Sequence, residues 1–306
     1  RAQMQSLFDL NELRRGSPQN YMSMVMEHFS ILDQGMLDDF TAGKISAAEL
    51  AERYEAQSSE GFDLNHYIPL LALCQELEVR VVGGFPPRSW ARAVFKESEG
   101  LQTVKSADEK RCNEQGANSG SLAVPRFDSS ELVAQVSHAH RSYIRSLMRP
   151  DAPPTFPKLP EDKEGNVSQD KPFPTHLLDE HLPQFSGFET AQALKDAFFA
   201  HAIVSQLLRS EHETVFAVCG LGHSEYGIGA VERVMSLLKK HGVDEQVGAP
   251  FLIASKPEDS SFWQTSEAER ETAEERRREM AYVEDPWGRR VADAVVVYEW
   301  QGDDDD

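Results

Sequence analysis

Thr214-Val-Phe-Ala-Val-Cys-Gly-Leu-Gly-His-Ser-Glu-Tyr-Gly-Ile-Gly229 decides how the rest of the chain is read. Its first half is apolar and strand-forming, its second half turns through Gly220, Gly222, Gly227 and Gly229, and Ala230–Lys240 follows with a helical apolar period. Strand, glycine-rich turn and helix in that order make one unit of an α/β sheet. In such sheets ligands bind beyond the carboxyl ends of the strands, so His223 sits where chemistry is expected.

The spacing of the glycines excludes the commonest occupants of such a turn. A dinucleotide fingerprint needs Gly-x-Gly-x-x-Gly, but Glu225 stands at the third glycine position. No Gly-Lys-Ser/Thr follows, so a phosphate loop is excluded as well. A nucleophile elbow needs Gly-x-Ser-x-Gly, and Ser224 is out of register for it.

Working outward, apolar runs near 22–28, 79–84, 250–254 and 293–300 read as further strands between helical stretches, which predicts a mostly parallel sheet flanked by helices. Helices are expected over Met4–Leu13, Ile31–Phe40, Ala47–Gln57, Tyr67–Glu76, Glu131–Met148 and Glu189–Leu208, and a charged, solvated one over Glu267–Glu279. Ser46 with Glu49 forms a capping-box pattern ahead of the third. Residues 97–130 read as a long polar excursion and 150–174, with seven of the sixteen prolines, as an irregular linker; an acidic tail closes the chain at 301–306.

Composition bounds the function. Basic residues number 31 and acidic ones 51, a net charge of −20, which argues against nucleic acid and anionic membranes as partners. Three cysteines are too few and too scattered for a disulfide framework or a thiolate zinc site; Cys74 and Cys219 read as small packed hydrophobes. No apolar run approaches the roughly 18 residues of a transmembrane helix, and no secretory signal opens the chain. A soluble, intracellular protein is expected, with a plastid or mitochondrion as an alternative compartment.

Three strand ends deliver polar groups: Glu27 and His28 after the methionine-rich run Tyr21–Phe29, Arg88 after Val79–Gly84, and His223 after the opening strand. Carboxylate and imidazole suit a divalent metal or general acid–base work, whereas a guanidinium suits a small anionic ligand such as a carboxylate or propionate.

The chain resembles a known family at several of these points. MVMEHFSILDQGMLDDFTAGKIS (24–46), DLNHYIPLLALCQELEVRVVGGFPPR (63–88), the helix around Phe199–Leu208, VFAVCGLGHSEYGIGAVERV (215–234) and ADAVVVYEW (292–300) are similar, in order, to segments of the ChaN-like haem-binding proteins of the wider Tiki and erythromycin-esterase-like superfamily. The resemblance implies a single α/β domain over 1–306. It implies one pocket lined by Glu27, Arg88 and His223, with Gln34, Tyr67, Gly220 and Gly222 near it. Haem is the implied cofactor, and a divalent metal on Glu27 and His223 the second. Phe85 departs from the family's asparagine, and the family's first strand, ending in Gly-Glu-x-His, is missing from this sequence, Arg1 falling just after the place where it would stand.

By ligand chemistry Tyr67, His66, His28 and His223 are the candidates for haem iron, His28 also standing as a substitute metal ligand; no Cys-x-x-Cys-His is present for covalent attachment. A haem- or iron-binding protein is the first expectation, with no catalytic residue assigned. A non-catalytic accessory or assembly subunit, meeting protein partners through its insertions, and a metal-dependent hydrolase are the alternatives.

Overall fold

The computed structural model describes residues 2–14, 21–96, 100–116, 137, 140–141, 143–144, 187–257 and 292–298. Helix α1 (Ala2–Arg14) precedes strand β1 (Tyr21–Ser30), after which α2 (Gln34–Thr41), α3 (Ala47–Gln57) and α4 (Ile68–Glu76) lead to β2 (Arg80–Phe85). Helices α5 (Arg88–Lys96), α6 (Gly100–Gly116) and α7 (Gly187–Leu207) come before β3 (Glu213–Val218); α8 (Ala230–His241), the short α9 (Asp244–Val247), β4 (Ile253–Pro257) and β5 (Ala294–Tyr298) complete the described elements.

Strand β1 is central, paired in parallel with β2 on one side and β3 on the other. Side chains of a strand alternate between faces, and the two faces of β1 enter different cores. Met22, Met24 and Met26 pack with Leu37, Phe40, Leu50, Leu71 and Cys74 from α2, α3 and α4. Val25 packs with Val82, Phe199 and Ala202 on the face covered by α7. With helices on both faces, the molecule is an α/β sandwich whose buried strands read as nearly continuous apolar runs. At Gly84 the strand and α7 meet so closely that an added Cβ would lie 2.4 Å from the Phe199 ring.

Local signals explain the element boundaries. Ser46 and Glu49 form the expected capping box, and Ser30 with Asp33 forms another where β1 passes into a 3₁₀ turn. Gln34 closes the outer side of β2: its side-chain Oε1 accepts from Gly83 N–H at 3.1 Å and its Nε2 donates to Val81 O at 3.3 Å.

Three departures from the sequence expectation have physical reasons. β4 and β5 pair with each other in a two-stranded parallel sheet, so the strands form two sheets. β4 begins at Ile253, late in the apolar run at 250–254, and runs on to Pro257, because pairing with β5 fixes the strand and leaves Phe251 exposed at 71%. The first part of the expected polar excursion is α6, packed against α5. Its buried side includes Val104 and the Asp108–Arg111 ion pair at 2.6 Å, so apolar periodicity could not announce it. Most of the helix expected over 131–148, the linker at 150–174, the helix at 267–279 and the acidic tail lie outside the described residues. Among the described residues no helix is long and apolar enough to cross a membrane.

Candidate functional site

The strand order places the connections of β1 and β3 on opposite sides, and the crevice between their carboxyl ends is the switch point at which α/β folds bind ligands. Glu27 ends the α7-facing side of β1. Across from it the chain leaves β3 through Cys219 and Gly220 and enters the 3₁₀ turn Leu221–His223. The turn is folded tightly on itself: Tyr226 adopts a left-handed backbone at φ 58°, and a Cβ on Gly229, at φ +70°, would lie 2.8 Å from His223 O and 3.3 Å from His140 Nε2. The glycines serve this return of the chain.

His223 is thereby held through Nδ1. Nδ1 lies 2.6 Å from Asp196 Oδ1, and Nε2 lies 4.0 Å from Glu27 Oε2 at the rim of the crevice. The Phe85 ring meets the imidazole edge to face at 5.0 Å, and Lys195 Nζ stands 5.7 Å from the centre of the same Phe85 ring. Asp196 is wholly buried in the middle of α7, where an unpaired carboxylate would be prohibitive. Its second oxygen faces His140 Nε2 at 3.1 Å, an ion-pair distance out of line for a straight hydrogen bond. Burial alone would raise the Asp196 carboxyl, but the charge and hydrogen bond of His223 and the close imidazole of His140 outweigh it and hold the group below the ordinary carboxylate range.

Other groups near the crevice are less reactive. Burial, reinforced by the Glu27 charge, pushes the Cys219 thiol up to about 12, so it is no nucleophile at neutral pH. Burial and then Glu27 likewise raise the Tyr67 phenol.

The structure brings Glu27, Gly220 and His223 together; the position of a Cβ on Gly220 is 3.5 Å from Glu27 Oε1, and Gly222 is the middle residue of the 3₁₀ turn. His28 does not join them. The β1–β2 register shifts between Met26 and Ser30, and at this irregularity His28 packs under Phe62 and Tyr67, with ring centroids at 4.7 and 3.9 Å. Its Nδ1 has no hydrogen-bond partner among the described residues, and burial lowers its pKa despite the Glu27 charge. Gln34 is spent on the edge of β2.

Arg88 begins α5 and is turned to the neighbouring loop: its backbone N–H donates to Glu60 Oε1 at 2.9 Å and its guanidinium to Glu60 O at 3.1 Å. With Ser59, Ser89, Arg92, Ala93 and Lys96 it lines a groove of about 260 Å³. His66 is on the surface, 3.6 Å from Asp63 Oδ2. Among the described residues no three metal-ligating side chains converge.

Sequence reasoning missed Asp196, His140 and Lys195. Asp196 lies in a helix whose surroundings are apolar, and a lone acid in such a run was the available signal: an ionised group there needs a partner.

A parallel α/β fold with a carboxylate–imidazole pair at its strand ends defines the class of this protein. The model of one family, described as haem-binding uptake, Tiki superfamily, ChaN, matches residues 1–234, and the chain belongs to that family. A solved structure described as cofacial heme binding to ChaN of Campylobacter jejuni is similar over 83% of this chain and 75% of that one, at 13% identity and a TM-score of 0.44. No curated protein matches the chain.

Proposed function

We propose that the protein binds haem at the β1–β3 crevice, with His223 Nε2 as the iron ligand. The observation that carries this reading is the disposition of the imidazole. Nδ1 is engaged by a buried carboxylate while Nε2 is left at the rim, which is how ligating histidines are commonly backed. Membership of a haem-binding family supports the choice of haem over other groups.

Phe85 offers an aromatic edge beside the ligand. Elsewhere on α5 the groove of Arg88, Arg92 and Lys96 carries cations of the kind that pair with propionates. That groove is too small for a porphyrin and suits a carboxylate arm. Tyr67 is the weaker candidate ligand because a tyrosinate requires a proton to leave a phenol that burial and Glu27 keep protonated. His28 is enclosed by Phe62 and Tyr67, and His66 lies exposed on the surface beside Asp63. When bound, haem would supply an iron for which His223 Nε2 would be a ligand; Asp196 orients that imidazole, and cationic side chains of α5 would suit the charged arms.

Titration of the purified chain with haemin tests the reading. A saturable Soret shift with about one haem per site, lost on His223→Ala, is the expected result; a linear, unsaturable response contradicts it. Of the alternatives, a divalent metal has the weaker support, since among the described residues Glu27 and His223 stand together without a third ligand.

A further inference from the structure

We infer that Asp196, backed by His140, is a positioning residue that keeps the proton of His223 on Nδ1 and leaves Nε2 bare toward the crevice; its role in iron ligation rests on the haem reading above. The geometry around the carboxylate admits few alternatives. Asp196 has no access to water, and its two oxygens face two imidazoles, Oδ1 to His223 Nδ1 at 2.6 Å and Oδ2 to His140 Nε2 at 3.1 Å. A carboxylate accepts hydrogen bonds, so the His223 nitrogen it faces at 2.6 Å must be the one that carries the proton. The remaining nitrogen then has a lone pair, with Glu27 Oε2 at 4.0 Å from it.

His140 is fixed from the far side. Its backbone N–H donates to Ser137 Oγ at 3.0 Å, and Ser137 Oγ donates to Glu232 Oε1 on α8 at 2.8 Å. Gly229, with no side chain, lets His140 and the His223 backbone approach the same point. Three separate parts of the chain, the Ser137–His140 stretch, α7 and the glycine turn, therefore converge on the orientation of one ring. Such carboxylate backing fixes the tautomer and ring plane of a ligating histidine and raises its basicity, and its loss typically costs about 10–100-fold in affinity for the metal.

The test begins without haem. Long-range ¹H–¹⁵N correlation spectra of the labelled full chain at mildly alkaline pH report the protonation of each ring nitrogen, with His223 assigned by His223→Gln. The expected pattern is a protonated Nδ1 and an unprotonated Nε2, giving way in Asp196→Asn to the other tautomer or to exchange between the two. A proton on Nε2 in the wild-type chain overturns the inference, whether or not the variant folds.

A second arm uses haemin. Asp196→Asn should bind it about 10–100-fold more weakly, with a change in the ligand-sensitive visible bands, and His140→Gln should shift both in the same direction. Wild-type affinity and bands in a folded Asp196→Asn overturn the positioning role. If the wild-type chain takes up no haemin, the haem reading falls, and the tautomer in the haem-free protein still decides this inference.

Discussion

Asp196 is the residue on which stability and the site meet. Removing one member of a buried charged cluster leaves the others desolvated and unpaired, so Asp196→Ala should cost about 3–5 kcal/mol, read as a lower denaturant midpoint with an unchanged slope. His28 makes a different prediction, in pH. Burial lowers its pKa from the ordinary 6.5, so below that value the unfolded chain binds a proton that the folded chain resists. The stability this confers is complete above 6.5 and is lost as pH falls through the lowered value. Replacing His28 with Phe, which suits the contacts with Phe62 and Tyr67, should flatten this part of the stability–pH profile; an unchanged profile would show that His28 does not set it.

The contact between β2 and α7 sets the height of the site above the sheet, since α7 carries Asp196 and β2 ends in Phe85. Gly84→Ala forces a methyl group against Phe199 and Val25 and should cost about 1–3 kcal/mol, measured by chemical unfolding. Gln34→Ala removes the acceptor from Gly83 N–H at the edge of β2 and should cost a similar amount, about 1–3 kcal/mol. Most elements were legible in the sequence because their burial is apolar and periodic. The methionine run of β1, the capping box of α3 and the two apolar stripes of α7 each announce themselves. α6 was not legible because an ion pair forms part of its buried side, and β4 is shifted toward the C-terminal end of the apolar run because strand pairing, which is non-local, sets its bounds.

At the scale of the whole molecule, the order β2–β1–β3 is what turns scattered strand ends into a site, bringing Glu27 and His223 to one crevice. That much could be anticipated from strand-end residues and from resemblance to the family the chain belongs to. The Asp196–His140 support could not, because a contact between residues 56 positions apart in sequence is created only by the packing of α7 against the sheet. The turn of Arg88 toward Glu60 was equally hidden, being set by a loop with no periodic signal. The central claim is that this crevice binds haem through His223, and haemin titration of the wild-type chain beside His223→Ala, followed at the Soret band, tests it most directly. The account predicts a saturable shift in the wild type and its loss in the variant; a saturable shift of equal affinity and shape in both would contradict it.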